Sequence, residues 1–535
     1  MKPVHTSGDL FKGAFILTVA ALVIKILSAI YRVPFQNIVG DVGFYIYQQV
    51  YPFYGIILVL STYGFPVVIS KLYAEQAALK REKDVQNLFV IAALVLTIIG
   101  FTGFSVLYWG ADWLAAGMND PQLAVLLRVV AVVFLIFPIV SILRGYFQGR
   151  GNMVPTAVSQ VGEQLVRVAT ILLAALLLVR EGHSLYMVGG GALFGAITGG
   201  FTAALILITF FYIKQRRKLP SLIEIDFKKS GKIAKVLIIQ GFAICISSLV
   251  LIFIQLADSL NLYSLLLASG YESEQAKELK GVYDRGQPIV QLGTVVATSM
   301  SLSLVPLISK EKMKNQAAFL HDKIRLALQI GILVGAAATV GLWNIIEPAN
   351  VMLFENVSGS DVLSILSILI FLSSVIITIT AILQGLGFIL FPAAVILLGF
   401  AVKCGLNFLL VPSYGTIGAA AASCLALAAV LLFLIFKLQS YLKIALLSNR
   451  FLFVIGLASA VMALVLQLYL QATGVFADFK HDRLYAGFQA LSAVAIGGFT
   501  YLFIVLKGNT FREEELALLP FGSKLMFLLP KKNRR

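Results

Sequence analysis

Charge is scarce in this sequence. Asp, Glu, Lys and Arg make up 13% of its 535 residues, about half the usual share in a soluble protein. With 59% hydrophobic residues, a soluble fold of this length would lack the polar side chains to cover its surface, so the solvent is lipid. Cysteine is scarcer still. Cys245, Cys404 and Cys424 lie in apolar runs without CxxC spacing, which excludes a disulfide framework and argues against thiolate metal sites. The four histidines (His5, His183, His321, His481) show no ligand spacing. No GxxxxGK[ST], HExxH or GxSxG motif occurs, and no paired-carboxylate motif stands out. These absences speak against an enzyme and for a transporter without a cofactor.

What is present are long apolar runs. About 20 apolar residues cross the hydrocarbon core. On that ruler spans are expected near 11–33, 43–69, 87–109, 121–143, 155–179, 186–213, 236–257, 286–309, 324–345, 361–383, 391–411, 415–436, 451–470 and 484–506. The first is too long for a signal-peptide core. With the N-terminus inside, the inner loops carry 31 Lys and Arg and the outer loops 6. That asymmetry fits the positive-inside rule with both termini cytoplasmic. It also accounts for the net charge of +16 without a nucleic-acid partner.

The halves resemble each other. GFPVVISK (64–71) parallels SLVPLISK (303–310), and ILRG…MVPTAVSQVG (142–162) parallels ILQG…LFPAAVILLG (382–399). The offsets are nearly equal, so two parallel six-helix repeats are expected, with a site near the midplane. The expected organisation is an N-lobe at 1–230, a C-lobe at 231–440, two further helices at 441–510 and a basic tail at 511–535.

Five basic residues fall inside spans: Lys25, Arg32, Arg128, Arg167 and Lys403. Each costs roughly 2.5–3.5 kcal/mol at a helix centre, and Glu163 is the one clear carboxylate beside them. A wet cavity for an anion accounts for the cost. Lys25 and Arg32 are two turns apart on one face, although Arg32 is also near enough to the outer end to snorkel. Gln164 and Arg167 share a stripe, and Glu163 with Arg167 has the i,i+4 spacing of an ion pair. Lys403 and Asn407 share a face at mid-depth. Arg128 fits either a headgroup contact or the cavity, and Asp258 either a cation site or a helix-end cap. Tyr47, Tyr51 and Tyr54 form one face suited to sugar rings, with Tyr47 placed for the interfacial belt.

KILSAIYRVPFQNIVG (25–40), LRGYFQGRGNMVPTAVSQVGEQ (143–164), YDRGQP (283–288) and the QGLG…P…K…N run (384–407) carry a resemblance over essentially the whole length. The chain resembles the multidrug/oligosaccharidyl-lipid/polysaccharide flippase superfamily, and within it the stage V sporulation protein B-like branch related to the MurJ lipid II flippases. The resemblance implies an all-α protein of fourteen helices in two six-helix lobes around a cationic cavity, in the bacterial plasma membrane. It implies essential basic residues at Lys25 and Arg32, an Asp-Arg pair at Asp284 and Arg285, and a lipid-tail groove beside 451–506. One departure is the stretch YGIILVLSTYGFP (54–66), which lacks an arginine expected there.

The expected function is therefore that of a flippase for an undecaprenyl-pyrophosphate-linked cell-wall precursor, lipid II first. A coupling ion or the membrane potential would drive it, with cell-wall synthesis proteins as candidate partners. A flippase for a teichoic, capsular or spore-related glycan is the alternative. A cation-coupled drug exporter fits less well, since its substrates call for intramembrane carboxylates.

Overall fold

In hydrocarbon every backbone amide must be satisfied within its own segment, which leaves the helix as the spanning structure for apolar runs of this length. The computed structural model describes residues 7–79, 82–214, 227–295, 297–299, 308, 317–443, 447–474 and 482–508. No strand occurs among them. Twelve helical stretches of the described residues are long and apolar enough to cross a membrane, and two, Val19–Ala78 and Leu390–Leu442, are long enough to cross twice. The protein is a multi-pass, all-α membrane protein.

α1 (Ser7–Ile30) and α2 (Arg32–Val59) are separated by Tyr31 alone, and the chain reverses inside α2, at Gly40. There φ is 69° and ψ is −176°, a conformation that favours a residue without Cβ. The first span thus continues past its expected end at 33, and Arg32 stands within it. The second runs through a π-turn at Leu60–Gly64 into α3 (Phe65–Ala78). α4 (Glu82–Trp109) is the third span. After the short α5 (Ala111–Gly117), α6 (Leu123–Ala131) and α7 (Val133–Gly149) make the fourth. α8 (Val154–Arg180) and α9 (Leu185–Lys214) are the fifth and sixth.

α10 (Phe227–Ser248) and α11 (Val250–Ala268) form one broken seventh span, longer than the expected 236–257. α12 (Ser273–Asp284) is short and polar, and α13 (Gly286–Gly293) opens the eighth span. The rest of that span falls largely outside the described residues, as does SLVPLISK except for Ile308. α14 (Ala317–Phe354) and α15 (Ser360–Gly385) follow, then α16 (Leu390–Leu442), which holds two spans around a break at Gly415. α17 (Asn449–Gly474) and α18 (Arg483–Lys507) are the last two; the basic tail at 511–535 lies outside the described residues.

By contacts the chain divides into two compact units, Met1–Asp284 with Phe388–Ala422, and Arg285–Gly387 with Ser423–Arg535. This division follows packing, whereas the two expected six-helix halves follow sequence repetition. In the first unit α8 packs closely on α9, where Gly191, Gly195 and Gly199 repeat every fourth residue and let the backbones approach. A Cβ on Gly199 would lie 2.8 Å from the Glu163 carbonyl, and one on Gly195 2.9 Å from that of Arg167. α2 packs against α9, α11 and α12. In the second unit α14 packs against α15, α17 and α18.

Candidate functional site

Tyr47, Tyr51 and Tyr54 recur at intervals of four and three along α2, hence on one face. That face points inward. Tyr47 is buried, with its hydroxyl 2.8 Å from that of Tyr31 and its ring centroid 4.9 Å from that of Phe35. It is not the interfacial belt residue that its position in sequence suggested. The reversal at Gly40 sets the second helix beside the end of the first, which turns Tyr47 toward Tyr31.

Two guanidinium groups are embedded in this aromatic face. Arg32 is fully buried; its Cζ is 4.3 Å from the centroid of Tyr51 and 5.9 Å from that of Tyr31. None of its three guanidinium nitrogens makes a well-aligned hydrogen bond among the described residues, and the hydroxyls of Tyr31 and Tyr51 are its polar neighbours. Burial excludes the snorkelling alternative. Arg167, from α8, is also buried; it donates to the Tyr54 hydroxyl and to Gln164 Oε1, with its Cζ 5.0 Å from the Tyr54 centroid. Tyr51 interacts with both arginines. Lys25 is half-buried on α1, two turns before Arg32.

Glu163 does not pair with Arg167. Its Oε2 accepts from Arg144 Nη2 at 2.7 Å, and Arg144 also donates to the Ser159 hydroxyl, the Thr62 hydroxyl and the Ser61 carbonyl. Ser61 lies in the π-turn, where helix hydrogen bonding is disturbed and a carbonyl is left for such a donor. Arg144 falls one residue past the expected end of the fourth span at 143, so hydropathy alone places it in an inner loop. One signal did point to it: the parallel ILRG and ILQG strings set Arg144 against Gln384, another polar residue.

The remaining expected residues separate into further groups. Lys403 and Asn407 meet Asp258, which lies in mid-helix in α11 and so is not a helix-end cap. Asp284 accepts from Lys280 at 2.6 and 2.7 Å, a lysine that is buried rather than looped out. Arg285 belongs to the second unit, where Nη1 donates to Asn356 Oδ1 at 2.7 Å and Cζ lies 5.2 Å from the Phe354 centroid. Arg128 is partly exposed and paired with the exposed Asp112. The ion pairs Arg144–Glu163, Lys403–Asp258 and Lys280–Asp284 each bring their own carboxylate. Arg32 and Arg167 pair with none among the described residues.

The second unit holds an apolar cavity of about 380 Å³ between α14, α17 and α18. Leu333, Ala337, Gly341, Met462, Gly497 and Tyr501 are among its walls. The Tyr501 hydroxyl donates to the Leu333 carbonyl at 3.1 Å, which leaves the lining almost wholly hydrocarbon.

Comparison with known proteins agrees with this architecture. The membrane protein YabM of Bacillus subtilis (strain 168) is 43% identical over 516 residues, covering 96% of each chain. Lipid II flippase MurJ of the same organism is 26% identical over 521 residues, 93% of this chain and 95% of that one. The solved structure of lipid II flippase MurJ in an inward closed conformation superposes with a TM-score of 0.67 at 16% identity, over 92% of this chain and 98% of that one. The polysaccharide biosynthesis protein family matches residues 10–312, and with that match the chain belongs to this family as a multi-pass membrane protein of the MurJ-like fold.

Proposed function

We propose that this protein is a flippase that carries an undecaprenyl-pyrophosphate-linked cell-wall precursor, lipid II first, from the inner to the outer leaflet of the bacterial plasma membrane. The observation that carries the proposal is Arg32, a fully buried guanidinium that meets tyrosines and no carboxylate among the described residues and makes no well-aligned hydrogen bond there. A buried charge left unpaired is costly, and an arriving phosphate would remove that cost with charge-assisted hydrogen bonds. Arg167 and Lys25 extend the cationic region, and the rings of Tyr47, Tyr51 and Tyr54 offer faces for a sugar. Gln164, which accepts from Arg167, belongs to the same region. The apolar cavity of the second unit suits a prenyl chain.

Headgroup binding would favour the closed state, and alternating access would release the lipid outside. The membrane potential or an ion gradient supplies the drive. Both termini face the cytoplasm in this reading, because the basic loops then lie inside.

The match to the polysaccharide biosynthesis protein family, with only 26% identity to MurJ, favours one second reading, a flippase for another lipid-linked glycan. Depleting the protein and identifying the accumulating undecaprenyl-linked species by mass spectrometry separates the two. Lipid II should accumulate. Accumulation of a different lipid-linked glycan selects the second reading, and no change in any such species overturns both.

A further inference from the structure

Three oxygens surround the Lys403 ammonium. Asp258 Oδ1, Asn407 Oδ1 and the Ala419 carbonyl each lie 2.7 Å from Nζ. Those are one carboxylate, one amide and one peptide oxygen, all acceptors for the three donors of the ammonium. Lys403 and Asn407 are fully buried and Asp258 nearly so.

An ordinary ion pair needs only the carboxylate. Here a second layer aims the other oxygens inward. Asn407 Nδ2 donates to Asp258 Oδ1 at 3.0 Å and to Asn261 Oδ1 at 2.7 Å, which holds its own Oδ1 toward the ammonium. The Tyr283 hydroxyl donates to Asp258 Oδ2 at 2.8 Å and fixes the plane of the carboxylate. The break in α16 at Gly415, with φ 54°, returns the chain so that Ala419 lies opposite Lys403. Four helical segments thus converge on one point: α11, the end of α12 and both arms of α16.

A mixed set of carboxylate, amide and peptide oxygens is the ligand set of a hard cation. We infer that Asp258, Asn407 and the Ala419 carbonyl form a monovalent-cation cage whose cation is built into the chain as the Lys403 ammonium. A free alkali ion would have to displace a tethered one at high effective concentration, so the wild-type cage is closed to sodium and potassium. The convergent segments are then held together without an exchangeable ion, and the drive for transport does not pass through this place. Shortening Lys403 would empty the cage and turn it into an alkali-cation site.

The test reads ion-specific stability and is independent of the proposed transport activity. The full chain is purified in detergent, and Tm is measured in choline chloride, NaCl and KCl at matched ionic strength. Wild type should melt at the same temperature in all three. Lys403→Ala should show a saturable rise of about 2 °C or more in at least one alkali salt over choline, as expected of a ligand that binds only the folded state. Adding Asp258→Asn to that variant should abolish the rise.

An alkali-specific rise in wild type as large as in Lys403→Ala overturns the inference, and so does a folded Lys403→Ala that melts alike in all three salts. If Lys403→Ala is not recovered in choline, Lys403→Ser is purified in each salt. Recovery confined to an alkali salt supports the cage, and failure in all three overturns it.

Discussion

Arg144 reaches from α7 to Glu163 on α8, placing its Nη2 2.7 Å from the carboxylate, while Arg167, four residues along from Glu163, turns to Tyr54 and Gln164 instead. The carboxylate that the i,i+4 spacing offered to Arg167 is spent on another helix. Arg167 and Arg32 both remain without a carboxylate partner among the described residues, and the proposed anion site depends on them.

The pairing makes a prediction about rescue. Glu163→Gln leaves the Arg144 guanidinium buried without its counter-charge, and breaking a buried pair costs roughly 3–5 kcal/mol. Membrane abundance and Tm should fall. Adding Arg144→Gln should restore part of the loss, whereas adding Arg167→Gln should not. The four proteins compared by detergent melting decide the matter, and rescue by Arg167→Gln alone would show that the pairing is wrong.

Arg32 should show the opposite balance of stability and activity. It contributes a cation–π contact to Tyr51, worth roughly 0.5–2 kcal/mol, but carries an uncompensated charge in a buried place. Arg32→Gln should therefore leave Tm unchanged or higher and abolish lipid exposure on the outer leaflet, as is common where a site trades stability for function. Arg32→Lys should recover activity only in part, because an ammonium lacks the planar fork. If Arg32→Gln lowers Tm and abundance as much as it lowers transport, Arg32 is a structural residue.

The approach of α9 to α8 holds the backbone that carries Glu163 and Arg167. A Cβ on Gly199 would sit 2.8 Å from the Glu163 carbonyl and 3.1 Å from Arg167 Cβ, whereas one on Gly200 would meet nothing closer than 3.6 Å. Gly199→Ala should lose roughly 1–3 kcal/mol through overpacking. Gly200→Ala should be near neutral. Equal tolerance of both in a melting experiment would contradict the close packing.

Much of the fold was legible in the sequence because lipid imposes a local rule. Each span must be apolar over about 20 residues whatever its neighbours do, so the runs at 87–109, 155–179, 186–213 and 361–383 needed no tertiary information. Charges at mid-span were legible for the same reason, and Arg167 and Lys403 stood out as too costly to be incidental. Residues near span ends were not. Arg144, Asp258 and Lys280 were read as loop or helix-end residues, since hydropathy places a boundary only to within several positions and two turns of helix separate a headgroup contact from a buried pair.

Partnership was decided by tertiary structure alone. Spacing along one helix proposes i,i+4 neighbours, and Glu163 with Arg167 satisfies that rule as well as any pair does. Which neighbour a carboxylate takes depends on how closely the next helix approaches, on where a π-turn leaves a carbonyl for Arg144, and on where Gly415 returns the chain to bring Ala419 to Lys403. The sequence by itself determined that this chain lives in lipid and carries buried basic residues. Only the packing of its helices decided which of those charges meet a carboxylate and which meet tyrosines instead. An ion pair depends on angstroms between helices, and hydropathy registers only the span.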